Sequence, residues 1–228
     1  MTTRASESLG SDAHESEARR YPRKMRDLDI RLALDEHIRA TSLDADGVLR
    51  HEVGLEEGHR RIDVAAINGH LHGWEIKSDV DTLVRLAGQA ESYNKVFDFV
   101  TLVTTDRYLS KARAIVPSWW GLTIARAGDL GPVTFRDVRK PKLNRKLDKM
   151  ALAQLLWRDE TLDLLRELGH ARGLVSKPRW FAWLKLAEVM PTDELAARVR
   201  AALRARPEWP GGELPSAGGG SLRTHATP

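Results

Sequence analysis

The chain has 228 residues, no cysteine and a formal net charge of +4 at pH 7. That length allows one sizeable core, the lack of cysteine excludes disulfides and thiolate metal sites, and no run approaches the ~18 apolar residues of a membrane helix. The charge is uneven: residues 1–106 hold 14 Lys and Arg against 20 Asp and Glu, and residues 107–206 hold 21 against 10. A basic second half favours a polyanionic partner, most often nucleic acid. The opening "MTTRASESLGSDAHESEARR" lacks the apolar stretch of a signal peptide, so a cytoplasmic protein without membrane association is expected.

Residues 1–22 are rich in Ser, Glu, Ala and Arg and are expected to form a disordered tail. "MRDLDIRLALDEHIRA" (25–40) spaces Leu28, Ile30, Leu32, Leu34 and Ile38 as an amphipathic helix does. "GVLRHEVGL" (47–55) predicts a strand, followed by a polar turn at Glu56 to His59. "RRIDVAAINGHLHGWEIKSD" (60–79) predicts a hairpin around Asn68-Gly69. "DVDTLVRLAGQAESYNKVF" (79–97) predicts a second helix, with Leu83, Leu86, Ala87, Ala90 and Phe97 on one side and Asp79 or Asp81 as its cap. "DFVTLVTT" (98–105) is near-continuously apolar, as a strand buried on both faces is. "RYLSKARAIV" (107–116) predicts a short helix ended by Pro117, and "WWGLTIARA" (119–127) and "GPVTFRDV" (131–138) predict two more strands.

Helix, three strands, helix, strand, helix and strand make a mixed α/β sheet with helices on both faces. From about residue 139 the character changes. "RKPKLNRKLDK" (139–149) has six basic residues and one acid in eleven, and three amphipathic helices are predicted over 150–169, 178–190 and 192–206. Trp180, Phe181, Trp183 and Leu184 are expected to pack one of them into its neighbours, and Trp119 and Trp120 to pack the core. The Gly-, Pro- and Ser-rich 208–228 reads as a flexible tail.

The hairpin carries the chemistry. Side chains alternate along a strand, so Leu71, Gly73, Glu75 and Lys77 share one face, with Glu75 and Lys77 ~6.6 Å apart. Pairing across a two-residue Asn68-Gly69 turn would put Asp63 and Glu75 on opposite faces. A three-residue loop, Asn68-Gly69-His70, puts Asp63 across from Glu75, and this register is favoured. Two carboxylates ~5 Å apart repel, which is reasonable only with a cation nearby. A hard ion such as Mg²⁺ takes oxygen ligands from carboxylates and phosphates, and Lys77 would stand beside it. His70 and His72 form an H-x-H pair, but no third ligand makes them a zinc site.

Asp63, eleven intervening residues, then Glu75-Ile76-Lys77 resembles the signature of the PD-(D/E)XK, or restriction-endonuclease-like, nuclease superfamily. The order αβββαβ over residues 26–126 is similar to that superfamily's core. The fuller string "RIDVAAINGHLHGWEIKSDVDTL", with the later "VPSWWG", resembles an uncharacterised bacterial family placed within it. The resemblance implies a Mg²⁺- (or Mn²⁺-) dependent nuclease, with DNA the expected substrate. Asp63, Glu75, the carbonyl of Ile76 and an acid from the first helix or strand would be metal ligands; Glu36 and Glu52 are the candidates, with Glu52 preferred. Lys77 would position water or stabilise the transition state. Gln89 and Tyr93 match a pair that some members carry on the following helix, and they share a stripe with Asp81 and Arg85. Arg85, Arg139, Lys140, Lys142, Arg145 and Lys146 are the expected nucleic-acid contacts. The expected organisation is a nuclease-like core over 23–140 and a basic helical region over 141–207. The alternative is a catalytically inactive nucleic-acid-binding module or regulator on the same fold. A homodimer or a targeting partner would suit either.

Overall fold

The computed structural model describes residues 24–128 and 132–207. The tails expected over 1–22 and 208–228 lie outside the described residues. In chain order the elements are α1 (Asp27–Thr41), β1 (Val48–Leu55), a 3₁₀ turn (Glu56–Gly58), β2 (Arg60–Asn68), β3 (His70–Lys77), α2 (Leu86–Tyr93), β4 (Phe99–Thr104), α3 (Asp106–Ile115), β5 (Gly121–Arg126) and β6 (Thr134–Arg139). Four helices follow: α4 (Lys149–Ala153), α5 (Arg158–Glu167), α6 (Arg179–Val189) and α7 (Thr192–Ala205). The architecture is the expected mixed α/β sheet.

The six strands lie in chain order. β1, β2 and β3 are antiparallel, β3, β4 and β5 are parallel, and β6 is antiparallel to β5. The parallel pairs use α2 and α3 as crossovers, because parallel strands cannot be joined by a tight turn. One face of the sheet buries Leu49, Val64, Ala66, Trp74 and Ile76 against Ile30, Leu34 and Ile38 of α1. The other face buries Leu71, Leu102 and Leu122 against Leu86, Tyr93 and Ala112 of α2 and α3. Leu152, Leu165, Trp183, Leu186, Leu195, Val199 and Leu203 from α4–α7 belong to that same apolar cluster.

The β2–β3 hairpin takes the favoured register. Val64 pairs with Trp74, Ala65 with Gly73 and Asn68 with His70 across Gly69, whose φ of 79° suits a residue without a side chain. Gly73 is required for a different reason. A Cβ there would stand 2.3 Å from Cδ1 of Ile62 and 3.1 Å from the ring of Phe97, both fully buried. Gly73→Ala is therefore expected to cost about 1–3 kcal/mol by overpacking, read as a lowered midpoint in urea; an unchanged midpoint would mean that Ile62 moves aside freely.

His72 is half-buried on the α1 side, stacked on Trp74 with ring centroids 3.7 Å apart and 2.9 Å from the Thr101 hydroxyl. Burial pushes its imidazolium down to about 3. The folded protein thus refuses a proton that the unfolded chain accepts below about 6.5. Its contribution is complete above that value and is lost as pH falls toward 3, at up to about 1.4 kcal/mol per pH unit. Acid unfolding of His72→Gln should depend less steeply on pH across this window. The same steepness in both proteins would mean that His72 does not resist protonation.

Four expectations are corrected. The second helix starts at Leu86 rather than near Asp79. Asp81 accepts hydrogen bonds from N and Oγ of Ser78 (2.8 and 2.5 Å), and side chains of α3 take the carbonyls of Asp79 and Asp81. That holds residues 79–85 in turns, leaves Val84 87% exposed and exposes Ala87. In α1, Leu28 faces solvent while Arg31 and Asp35 are buried. The helix predicted over 150–169 is two helices, broken at Trp157, whose N–H donates to Glu160 Oε2 (2.6 Å). Finally, Trp180 and Leu184 point outward from α6, and only Trp183 of that aromatic group is fully buried.

Candidate functional site

Three carboxylates meet where the first three strands run side by side. The β1–β2 ladder pairs His51 with Val64 and Val53 with Ile62, which leaves Glu52 opposite Asp63. The β2–β3 ladder ends at Val64 with Trp74, so Asp63 and Glu75 are the next positions. Glu52 has a left-handed backbone, φ 54°, an arrangement that costs energy in a residue with a side chain and that persists where the surroundings impose it.

Each acid is held by named donors. Glu75 is 1% exposed. Its Oε1 accepts from Lys77 Nζ and from Gln89 Nε2 (2.6 Å), and its Oε2 lies 2.7 Å from the Tyr93 hydroxyl. Gln89 Nε2 also donates to that hydroxyl (3.2 Å), which can give its proton to Glu75 or to the carbonyl of Arg61 (2.6 Å). Burial and then the charge of Glu75 raise the Tyr93 pKa, so the phenol remains a donor. Asp63 Oδ2 accepts from the Ile76 N–H (2.7 Å), and Oδ1 accepts from Arg31 (3.0 Å).

Arg31, which helical periodicity places on a polar face, is the cation at the centre. From α1 its guanidinium reaches Asp27 Oδ2 (3.0 Å), Glu52 Oε1 (2.6 Å) and both Oδ1 and the carbonyl of Asp63. Burial opposes its charge, but the surrounding carboxylates, Asp63 first, outweigh burial and raise its pKa. The segment leading into α1 and the turn after β3 are tied together: Met25 N–H donates to Asp79 Oδ2 (3.0 Å) and Asp79 N–H to the Met25 carbonyl (3.2 Å). Those two bonds fix α1, and with it Arg31, over the strand that carries Glu75 and Lys77.

Asp63 is pushed up to about 7, first by burial and next by the charge of Glu75, against the pull of Arg31. The reason is visible in the inventory. Asp27, Glu52, Asp63 and Glu75 pair with Arg31, Arg61 and Lys77. Asp81, Arg60 and Arg85 also line the surrounding cleft, so its acids and bases balance five against five; the crowding is local to Asp63 and Glu75, and Gln89 Oε1 is buried beside them without a hydrogen bond. An added cation would relieve both. The set does not form a ready-made cage: among the described residues no three His, Asp or Glu side chains stand at metal-binding spacing. Arg31 and Lys77 already hold the oxygens. The cluster opens into a cleft of about 390 Å³ whose lining adds Gly58, His59, Arg60, Asp81 and Arg85 to the residues above.

The structure thus brings together Glu52, Asp63, Glu75, Ile76, Lys77 and Gln89 in one cleft, with Tyr93 behind Glu75 and Arg85 at the rim. Glu36 is exposed on α1, and its side chain lines no part of the cleft. The basic run falls elsewhere. Arg139 is half-buried and donates from its guanidinium to the carbonyls of Trp120 (2.6 Å) and Pro117 (2.9 Å). Lys140, Lys142, Arg145 and Lys146 are exposed on an extended strap. The N–H groups of Lys142, Asn144 and Asp148 bond the carbonyls of Trp119, Asp98 and Lys95, so the strap crosses the ends where β4 and β5 begin. Lys77 pairs with Thr104, where β4 ends. The cations that line the cleft, Lys77 and Arg85 together with Arg31, Arg60 and Arg61, all come from the acidic half of the chain; of the three not expected there, Arg60 and Arg61 carried a signal in their position beside Asp63, and Arg31 carried none.

Over 145 residues, 64% of this chain, the sequence is 30% identical to protein cII of Enterobacteria phage P4, of which it spans 54%, about half. A solved structure of a protein of unknown function from Silicibacter pomeroyi aligns with 64% of this chain and 90% of its own length, at 21% identity and a TM-score of 0.38. Among the described residues no helix is long and apolar enough to cross a membrane. A match over residues 23–208, from α1 and the carboxylate cluster through the last helix, makes the chain a member of the family described as Bacteriophage P4 protein cII.

Proposed function

We propose that the chain is a metal-dependent phosphodiesterase of the restriction-endonuclease-like kind, hydrolysing phosphodiester bonds in nucleic acid, with DNA the first substrate to try. The observation that carries this reading is the meeting of Asp63, Glu75 and Lys77 from one hairpin with Gln89 and Tyr93 from the following helix, in a cleft where the Asp63 and Glu75 carboxylates crowd one another. Asp63 and Glu75, joined by Glu52 and the Ile76 carbonyl, would hold Mg²⁺ or Mn²⁺. Oxygen donors and two crowded carboxylates fit such an ion. When bound, it lowers the pKa of a water and neutralises charge on the phosphate.

The chain's own residues do the remainder. Gln89 and Tyr93 fix both oxygens of Glu75, so its carboxylate is preorganised. Arg31 and the Ile76 N–H do the same for Asp63. Lys77 holds a buried positive charge at the strand end, where charge develops on phosphorus. Arg60 and Arg85 at the cleft wall attract the phosphate backbone.

A second reading is a catalytically inactive nucleic-acid-binding module or regulator on the same scaffold, alone or with a second copy or a targeting partner. Every carboxylate oxygen of Asp63 and Glu75 already accepts a hydrogen bond from the protein, and the family relationship lends more to this reading than to the first. The deciding experiment is incubation of end-labelled single- and double-stranded DNA with Mg²⁺ or Mn²⁺, against a chelator control. Divalent-dependent cleavage supports the enzyme; salt-sensitive binding with no cleavage under either metal supports the regulator.

A further inference from the structure

We propose that the outward face of α6 is a second nucleic-acid contact, a stacking platform for unpaired bases that continues the cleft. The proposal rests on the nucleic-acid reading above and extends it to a surface outside the carboxylate cluster. Trp180 is 46% exposed and Leu184, one turn on, is 50% exposed. Single exposed apolar residues need no explanation, but an open Trp beside an open Leu and a 56%-exposed Val175 form a patch that does. The indole of Trp180 stacks on Phe181, ring centroids 3.9 Å apart and planes 25° off parallel, so Phe181 backs one face of the indole and holds it in place.

The surroundings choose the partner. Four cations lie on or before α6: Arg179 pairs with Glu57 and Lys185 with Glu188, while Arg172 and Lys177 lead into the helix on a stretch without acids. Lys177 Nζ lies over the Phe181 ring, 5.6 Å from its centre, and Arg172 and Lys177 are exposed. Aromatic faces flanked by cations suit a single strand, whose bases offer π-faces and whose phosphates offer charge; in a duplex those faces are hidden in the stack.

The platform is held still and held near the cleft. Arg158 donates to the carbonyls of Lys177 (2.8 Å) and Val175, which fixes the loop entering α6. Arg179, the first residue of α6, forms an ion pair with Glu57. Glu57 belongs to a turn with three successive left-handed residues, Glu56, Glu57 and Gly58, and the next residues, His59, Arg60 and Arg61, line the cleft. A strand lying across the cleft therefore passes onto α6 over that turn.

The test is fluorescence anisotropy in a chelator, so that no hydrolysis intervenes, with a labelled oligodeoxythymidine of about 16 nucleotides and with a duplex of similar length. Trp180→Ala is expected to weaken single-strand binding about tenfold or more, with duplex binding and thermal unfolding unchanged, while Trp180→Tyr keeps most of the affinity. Lys177→Ala should weaken single-strand binding and flatten its salt dependence by about one phosphate contact. Equal single-strand binding by wild type and Trp180→Ala overturns the proposal. So does an equal loss on duplex, or wild-type self-association that Trp180→Ala abolishes, which would make the patch a contact between copies. Cleavage with Mg²⁺ is scored separately. Cleavage with an indifferent Trp180→Ala removes the platform and keeps the enzyme; Trp180-dependent binding without cleavage keeps the platform and removes the enzyme.

Discussion

Lys77→Ala is expected to lower divalent-dependent hydrolysis by about 10²–10³-fold while leaving the fold and the binding of nucleic acid nearly intact. That is the usual loss when one preorganised donor to developing charge is removed. Lys77 is 6% exposed and its Nζ rests on Glu75 Oε1. Glu75 retains Gln89 and Tyr93 as partners when the lysine goes, so the protein should still fold. Lys77→Arg should not restore the rate, because a planar guanidinium does not occupy the place of a compact ammonium. Asp63→Ala should be at least as damaging, since it removes an expected metal ligand and leaves Arg31 with one carboxylate fewer. The measurement is the single-turnover rate of cleavage at saturating protein, beside anisotropy in a chelator. Equal rates in wild type and Lys77→Ala would reduce the lysine to a structural partner of Glu75, and the enzymatic reading would fall with it.

Arg31→Met should destabilise the protein by about 3–5 kcal/mol, the typical cost of removing one partner from a buried ionic cluster. The methionine matches the alkyl stem, so what is lost is charge and hydrogen bonding. Asp27, Glu52 and Asp63 would then face one another with only the 65%-exposed side chain of Arg61 to offset them. Arg31→Lys should recover part of the loss: it restores the charge but not the fork that reaches three carboxylates at once. Chemical denaturation reads the midpoint, and Mg²⁺ supplies the second arm. A divalent ion that binds the folded cluster raises stability by linkage, and its effect should be larger in Arg31→Met than in wild type, because the variant has more uncancelled charge to offer. A midpoint equal to wild type would show that Arg31 is not what neutralises the cluster.

Much of this site was readable in one dimension because it lies on one hairpin and the helix after it. Strand alternation puts Glu75 and Lys77 on one face, and the Asn68-Gly69 turn leaves two registers, of which the structure takes the one that sets Asp63 beside Glu75. Helical spacing puts Gln89 and Tyr93 on one stripe, and both reach Glu75. The start of α2 was not readable. Asp79 and Asp81 look like caps, but Ser78 claims one carboxylate and Met25 the other, and Met25 is 54 residues away in sequence.

By itself, then, the sequence determined the mixed α/β order and the strand face that Glu75 shares with Lys77, and it narrowed the hairpin to two registers, of which the folded sheet takes the one that sets Asp63 beside Glu75. What it determined follows from periodicity and turn chemistry within about thirty residues. Only the tertiary structure decided which charges matter. Arg31 is an ordinary polar-face residue until α1 packs over β2 and β3. Glu52 faces Asp63 only because β1 pairs with β2 in the register that brings them opposite. The basic run after residue 139 turns out to strap the far ends of the strands, while Trp180 is left outside. Burial and charge are sums over neighbours distant along the chain, and no local pattern contains them.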